Sequence, residues 1–231
     1  MGEIMDLLVN KEAKLIEEIK QNLRFINSKK KPWQEKEYLE NRIISVMKEN
    51  PNILTQRSQY LFTNLLFAHY IIEKGNEKII KGLIDANPKL LTKSYKDFIN
   101  NIYENTTASP LSEYQKYSTA YIIAIKNRSF IPYMLEKNKD IIKDTNFLRH
   151  AVIFGLDDTK KYLIDNFIQD ICTVDPTDGE PFAHKLIKSA YSQEIIKHLN
   201  ETIQKKMPEG MKLKDERFIT VKTLLNGFLR K

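Results

Sequence analysis

Four histidines, one cysteine and one short acidic loop are the groups in this chain that could do chemistry. The histidines are His69, His150, His184 and His198. A metal site needs three or four ligands at defined geometry, and no two of these histidines have the i, i+4 spacing that puts a pair on one helical face. Cys172 could act as a nucleophile with His184 or His150 as its base. It sits in "DICTV", an apolar stretch where a buried, inert thiol is the common case. Asp175, Asp178 and Glu180 crowd the loop "DPTDGEP". Paired carboxylates can move protons or hold calcium, but the calcium-loop spacing does not fit and Asp-Gly is a turn signal in its own right. Asp157 and Asp158 read as helix-capping residues beside the positive end of a helix dipole. The expectation is no catalytic residue, no metal and no cofactor.

No glycine-rich phosphate loop is present, which weighs against a nucleotide-driven enzyme. The run Lys29–Lys31 precedes the only tryptophan, Trp33. It reads first as a polar connector with Trp33 packed between two helices, and second as a contact patch for an acidic partner or phosphates. Net charge is +7. The excess is spread along the chain, so a lysine-rich solvated surface is favoured over a nucleic-acid groove.

A single cysteine allows no intramolecular disulfide and fits a reducing compartment. The opening "MGEIMDLLVNKEAK" lacks the basic start and apolar run of a secretory signal, and Asp6 stands where a myristoylation motif wants Ser or Thr. No apolar stretch approaches the ~18 residues of a membrane span. A soluble protein is expected, cytoplasmic or delivered into a host cell without a classical signal.

Only 7 glycines and 8 prolines interrupt 231 residues, and the abundance of Lys, Ile and Leu favours helix over strand. Leu15, Ile16, Ile19, Leu23 and Ile26 share one face of a helix over Lys11–Ile26. A second helix, Gln34–Lys48, turns Tyr38, Leu39, Ile43, Ile44 and Met47 inward. It ends in "ENPNILTQ", and the same helix-to-loop transition returns as "ANPKLLTK" at Ala86–Lys93. Proline stops a helix because it lacks an amide proton and crowds the preceding turn. "YMLEKNKDIIKD" and "YLIDNFIQDICT" are looser copies, which places Asn50, Asn87, Asn138 and Asn166 at one recurring position. Recurrence on this scale points to a helical repeat array.

The stretches that lead into these transitions agree. Leu65–Ile84 reads as two helices about Gly75. Ser118–Leu135 has Ser129 as a cap and Pro132 in a first turn. Asn146–Ile164 turns at Gly155, and Glu180–Leu199 makes a fourth pair.

These pairs resemble the ankyrin repeat, whose T-P-L-H-x-A signature opens the first of two antiparallel helices after a β-turn. In "DGEPFAHKL" Gly179 falls at the turn glycine, His184 at the signature histidine and Leu186 at the small-residue position; His69 maps likewise, with Ile71 following. In "FLRHAVIFG" the matches are Leu148, Ala151 and Gly155. In "TAYIIAIKN" they are Thr119, Tyr121 and Ala124, with Ile122 in the histidine's place. Arg128 and Ala190 replace the inter-helix glycine, and most turn glycines are missing. The resemblance implies that the histidines bond neighbouring turns and that the two "FAH" triplets, at His69 and His184, hold equivalent places.

The expected fold is all-α: an irregular ankyrin-like solenoid with capping helices at both ends. Residues 1–34 form the N-terminal cap and basic connector, 35–205 about four helix pairs, and 206–231 the C-terminal cap, where Phe218, Val221, Leu225 and Phe228 have helical spacing. An insertion at 94–117 holds a short helix, Tyr95–Tyr103, and a polar loop. The resemblance implies a non-catalytic module that binds another protein on its concave or finger face. Candidate contacts are Lys30, Lys31, Trp33, Tyr95, Tyr114, Tyr117, Asp175 and Asp178. The Lys/Ile/Asn bias suits an effector-type protein of an intracellular bacterium or virus. The alternatives are a helical enzyme around Cys172 and a basic nucleic-acid binder.

Overall fold

The computed structural model describes residues 2–28, 32–55, 57–60, 63–94, 117–190, 192–206, 223 and 225. Helix dominates, as the scarcity of glycine and proline requires. The chain divides into two compact units, Met1–Thr119 and Ala120–Lys231.

In the N-terminal unit α1 spans Gly2–Ile26 and packs on α2, Trp33–Glu49. Ile19, Leu23 and Ile26 of α1 are buried, as are Ile43, Val46 and Met47 of α2. Arg42 clamps Glu18 with Nε and Nη2 at 2.7 and 3.3 Å. Two expectations fail here. Tyr38 is 70% exposed rather than inward; it lies nine residues from Met47, which at about 100° per residue is half a turn away. Trp33 is 67% exposed rather than packed between the helices, because it is the first residue of α2, past the buried stretch.

After α2 the chain breaks at Asn50 and runs through a 3-10 turn, Pro51–Thr55. A β-hairpin, β1 (Arg57–Tyr60) with β2 (Thr63–Leu66), then departs from the all-helical expectation; it pairs Arg57 with Leu66 at its base. The helices α3 (Phe67–Lys74) and α4 (Glu77–Ala86) meet at Gly75, and a second 3-10 turn, Pro88–Thr92, follows Asn87. Asn76 caps α4 by accepting the Ile79 amide at 3.1 Å. The helices α2 and α4 pack closely at Gly82, where an added Cβ would lie 2.6 Å from Ile44 Cγ1.

The C-terminal unit contains α5 (Thr119–Lys126), whose first residue belongs to the N-terminal unit, α6 (Ile131–Lys137), α7 (Thr145–Phe154), α8 (Asp157–Ile171), α9 (Phe182–Ser189) and α10 (Gln193–Lys206). Here α7 packs on α9, while α6 and α10 both pack on α8. Pro132 does fall in the first turn of α6. Ser129 is not its cap: the N-cap of α6 is Phe130, and the 3-10 turn ahead of it, Arg128–Phe130, is capped by Asn127, which accepts the Ser129 amide at 3.0 Å. Asp157 and Asp158 occupy the first turn of α8, whose N-cap is Leu156. Of residues 206–231, the described Leu225 is helical and buried; Phe218, Val221 and Phe228 lie outside the described residues, as does the segment Tyr95–Tyr103.

One construction recurs. The windows FAHYIIEKG, TAYIIAIKN, FLRHAVIFG and FAHKLIKSA begin at Phe67, Thr119, Phe147 and Phe182, and in each the first, second, fifth and sixth side chains are buried. Their ninth residues are Gly75, Asn127, Gly155 and Ala190, so Asn127 rather than Arg128 stands in the junction. The third residues are His69, Tyr121, Arg149 and His184, so Tyr121 rather than Ile122 stands in the histidine's place. The break after the second helix recurs too, with φ of −133° at Asn50 and −150° at Asn87 and Asn138. In the fourth copy the helix kinks at Phe167, φ −134°, one place beyond the expected Asn166, and runs on to Ile171. Buried pairs follow three of these breaks, namely Ile53 with Leu54, Leu90 with Leu91, and Ile141 with Ile142.

The pairing that leads back to the next first helix also repeats. Arg57 pairs with Leu66, Ser94 with Ser118 and Val174 with Pro181. The amides of Thr119 and Phe182 donate to the carbonyls of Lys93 and Thr173, each at 3.0 Å. Between α6 and α7 this hairpin is missing. Asp144 caps α7 directly, accepting the Asn146 and Phe147 amides at 2.9 and 3.2 Å.

The junction glycines are steric requirements. A Cβ on Gly155 would lie 2.2 Å from the Ala151 carbonyl oxygen, and one on Gly75 would lie 2.6 Å from that of Ile71. Gly155→Ala should therefore destabilise the protein by about 1–3 kcal/mol, the usual cost of overpacking. Urea unfolding followed by circular dichroism measures it; an unchanged midpoint would show that the junction has room.

Candidate functional site

The loop between α8 and α9 gathers the polar groups that looked most reactive. Asp175 donates its amide to the Glu180 carbonyl at 2.9 Å, and Gly179 donates to the Asp175 carbonyl at 2.9 Å. Gly179 has φ +74°, a left-handed conformation that glycine adopts without steric cost. The Asp175 carboxylate also accepts the Thr177 amide at 2.9 Å, which tightens the turn from within.

The Asp175 side chain is fully buried. The planar fork of Arg149, from α7, meets both its oxygens, with Nε and Nη2 at 2.5 and 2.6 Å. Two parallel bonds to one carboxylate are the strong form of this interaction. Arg149 also bonds the Thr177 hydroxyl. Lys185 of α9, itself buried, lies 3.5 Å from Asp175 and bonds Asp178. Glu180 takes Lys188 and has His184 Nδ1 at 3.6 Å.

The electrostatics follow from that geometry. Hydrogen bonding to Arg149 holds the Asp175 carboxyl far below the usual carboxylate range, against a burial that acts to raise it. Lys185 lowers Asp178, and Lys188 lowers Glu180. Burial pulls Lys185 down, and Asp178, Asp175 and Glu180 together outweigh it and raise it. A general acid needs a carboxyl pushed upward toward neutrality. These three are pushed the other way and remain ionised, so the cluster is a closed ion-pair network rather than an acid–base pair. Asp175 is thus removed as a partner contact, because a buried carboxylate offers no surface.

The histidines serve different local purposes. His69 is buried, and burial alone pushes its pKa down to about 4. Its Nε2 finds no hydrogen-bond partner among the described residues, so it does not make the expected bond to a neighbouring turn through that atom. In the C-terminal unit the tie from first helix to next turn comes instead from Arg149, at the equivalent position. The ring of His150 hydrogen-bonds the Ala124 backbone and lies between Tyr121 and Phe154, with centroids at 5.7 and 5.0 Å; burial lowers its pKa. His198 Nε2 is 2.9 Å from Asp165. Cys172 is half-buried at the C-terminal end of α8. Among the described residues no group of His, Cys, Asp and Glu is placed to hold a metal ion.

Lys160 is a functional position in the structural sense that sequence reading passed over. It is fully buried, and its ammonium donates to the Ser189 carbonyl at 2.7 Å, at the negative end of α9. Burial lowers its pKa. Ser189 Oγ in turn donates to the Val152 carbonyl at 2.8 Å, so one lysine on α8 links α9 to α7. The signal was present: Lys160 precedes buried Leu163, Ile164 and Phe167 at spacings of one helical face.

Of the expected contact residues, Lys30, Lys31, Tyr95 and Tyr114 lie outside the described residues. Tyr117 is half-buried beside the Ser118 bridge, Trp33 is exposed, and Asp178 is partly exposed within its pair with Lys185. An open groove of about 470 Å³ between α1 and α2 is lined by Phe25, Tyr38 and Leu39. On α5 and α7, Ile125 and Phe154 are 44% and 54% exposed.

Comparison with family models, curated proteins and solved structures found no match for this chain. Among the described residues no helix is long and apolar enough to cross a membrane.

Two measurements follow. Asp175→Ala removes the bidentate partner of Arg149 and leaves Lys185 with Asp178 and Glu180, which should cost about 3 kcal/mol of stability in urea titrations; Asp178→Ala, at a half-exposed carboxylate whose lysine keeps Asp175, should cost less, about 1 kcal/mol. Equal small losses would show the network to be ornamental. His69 has a folded pKa of about 4 against an ordinary 6.5, so the unfolded chain binds the proton first. The stabilisation is complete above pH 6.5 and is lost as pH falls toward 4. His69→Gln should flatten the urea midpoint across that window, leaving the shares of His150 and, at its acid end, of the lowered carboxylates around Asp175; an unaltered pH dependence would contradict the assignment.

Proposed function

We propose that the chain is a non-catalytic protein–protein interaction module, an irregular ankyrin-like array of helix pairs that binds another protein through its hairpins and first helices. The observation that carries this reading is a contrast of surfaces. The polar groups with chemical potential are closed on one another around Asp175, while the first helices leave Ile125 and Phe154 open to solvent. Exposed apolar side chains on a recurring scaffold fit recognition, and repeat arrays use such surfaces for it. The hairpin, short first helix, junction and second helix succeed one another in the order that the ankyrin resemblance implies. In this reading helix α1 caps the helix pairs of the N-terminal unit.

A nucleic-acid role draws less support. Arg149, Lys185 and Lys188 are committed to Asp175, Asp178 and Glu180, which leaves the hairpin near neutrality. The compositional bias fits an effector-type protein acting on a host protein.

Affinity capture from host lysate with the immobilised full chain tests the reading. A specific protein should be recovered after nuclease treatment and lost when Tyr121→Ser and Lys188→Glu alter the first-helix surface. Capture that ignores these changes, or that vanishes with nuclease, would reject it.

A further inference from the structure

The first helices of the C-terminal unit are unusual in charge. α5 (TAYIIAIK), α7 (TNFLRHAVIF) and α9 (FAHKLIKS) contain no carboxylate, and their ionised residues are Lys126, Arg149, Lys185 and Lys188. The second helices carry the acids: Glu136 on α6, Asp157, Asp158, Asp165 and Asp170 on α8, and Glu194 and Glu201 on α10. The acids of these helices therefore all lie on the second helices, which also carry Lys137, Lys160, Lys161, Lys197, Lys205 and Lys206; the first helices are the more basic set because they lack carboxylates.

Ring contacts join α5 to α7 on the first-helix side. Tyr121 meets His150 edge-on at 5.7 Å, and His150 meets Phe154 at 5.0 Å, so α5 and α7 share one strip. Ile125 lies one turn beyond Tyr121 and, like Phe154, is exposed. Arg128 borders the strip. Its Nη1 donates to the Phe154 carbonyl at 3.1 Å, which anchors the guanidinium at the C-terminal end of α7. No carboxylate pairs with Arg128 among the described residues, which leaves most of its five donors to solvent.

Resting on the interaction reading above, we infer that this strip receives an acidic peptide segment of the partner that carries a bulky apolar anchor. The anchor covers Ile125 and Phe154, an aliphatic and aromatic floor that strengthens on losing water. A carboxylate flanking the anchor pairs with the Arg128 fork, whose planar donors match it in bidentate fashion. Lys126, next to Ile125 on α5, adds positive potential beside Arg128 that steers the segment in. A basic partner would meet Arg128 and Lys126 with like charge, and a purely polar one would leave the strip wet.

A phage-displayed library of random 12-residue peptides, selected on the immobilised full chain, tests this without knowing the partner. The expected result is enrichment of sequences that combine Asp or Glu with Trp, Phe or Leu. Binding of an enriched, fluorescein-labelled peptide should fall at least tenfold with Phe154→Ser and with Ile125→Ser, both at exposed positions, and several-fold with Lys126→Glu. Thermal melts of each variant separate lost binding from lost folding. Enrichment of basic or purely polar sequences, no enrichment, or indifference to all three substitutions would overturn the inference. So would a concentration-dependent dimer that Phe154→Ser dissolves, since the strip would then belong to a second copy. If peptide selection fails while lysate capture still depends on Phe154, the acidic segment is rejected and the interaction reading stands; capture indifferent to Phe154 rejects both.

Discussion

A carboxylate removed from water must be met by cations, and Asp175 places that demand at the centre of the C-terminal unit. Isolated in a low-dielectric interior, it would take up a proton or force the turn open. Arg149 reaches it from the preceding first helix and Lys185 from the following one. One oxygen pair thereby fixes three pieces of chain against each other: α7, the turn and α9. Such a node contributes little net stability over an apolar substitute, but breaking it is costly. Its benefit lies in specifying one arrangement of short helices, each too short to be stable alone.

The same problem of short helices is solved repeatedly by backbone means. Three second helices stop at Asn50, Asn87 and Asn138, a 3-10 turn then buries a pair of aliphatic side chains, and the chain goes on to the next first helix. Where a hairpin intervenes, the first helical amide donates back across its base, as Thr119 does to Lys93 and Phe182 to Thr173. Where it does not, the Asp144 side chain supplies the missing acceptor. The first helices stay at 8 to 10 residues, while the second helices run from 7 to 17 and the connections between copies also differ, so the copies are irregularly spaced. Lys160 and Asp175 are local reinforcements placed on that plan, which explains why they occur once rather than in every copy.

Much of this was legible in the residues, and the failures have identifiable causes. The breaks at Asn50 and Asn87 were visible because proline follows both and cannot continue a helix. The equivalence of the two "FAH" triplets was visible because Phe67 and Phe182 open the same buried pattern. Aligning on histidine misled the register in the other two copies. The conserved feature of the window is burial at its first, second, fifth and sixth places, so Tyr121 and Arg149 stand where histidine was sought. The acidic loop was read as a turn, which holds, but its closure by Arg149 depends on a contact 26 residues away that no local pattern announces. Trp33 was assigned to the core on type alone, although its place at the very start of α2 puts it beyond the packed stretch. The hairpin Arg57–Leu66 went unread because "RSQYLFTNLL" has neither an Asn-Gly turn nor clean alternation.

If short helix pairs closed by recurring hairpin-base bonds are the unit of this fold, the amides making those bonds must behave unlike ordinary helix starts. The first amides of a helix normally lack an internal partner and exchange quickly. Native-state hydrogen exchange at Thr119 and Phe182 measures the difference directly. The recurring unit predicts that both exchange as slowly as the helical amides that follow them. Exchange of both at the rate of an unstructured chain would contradict it.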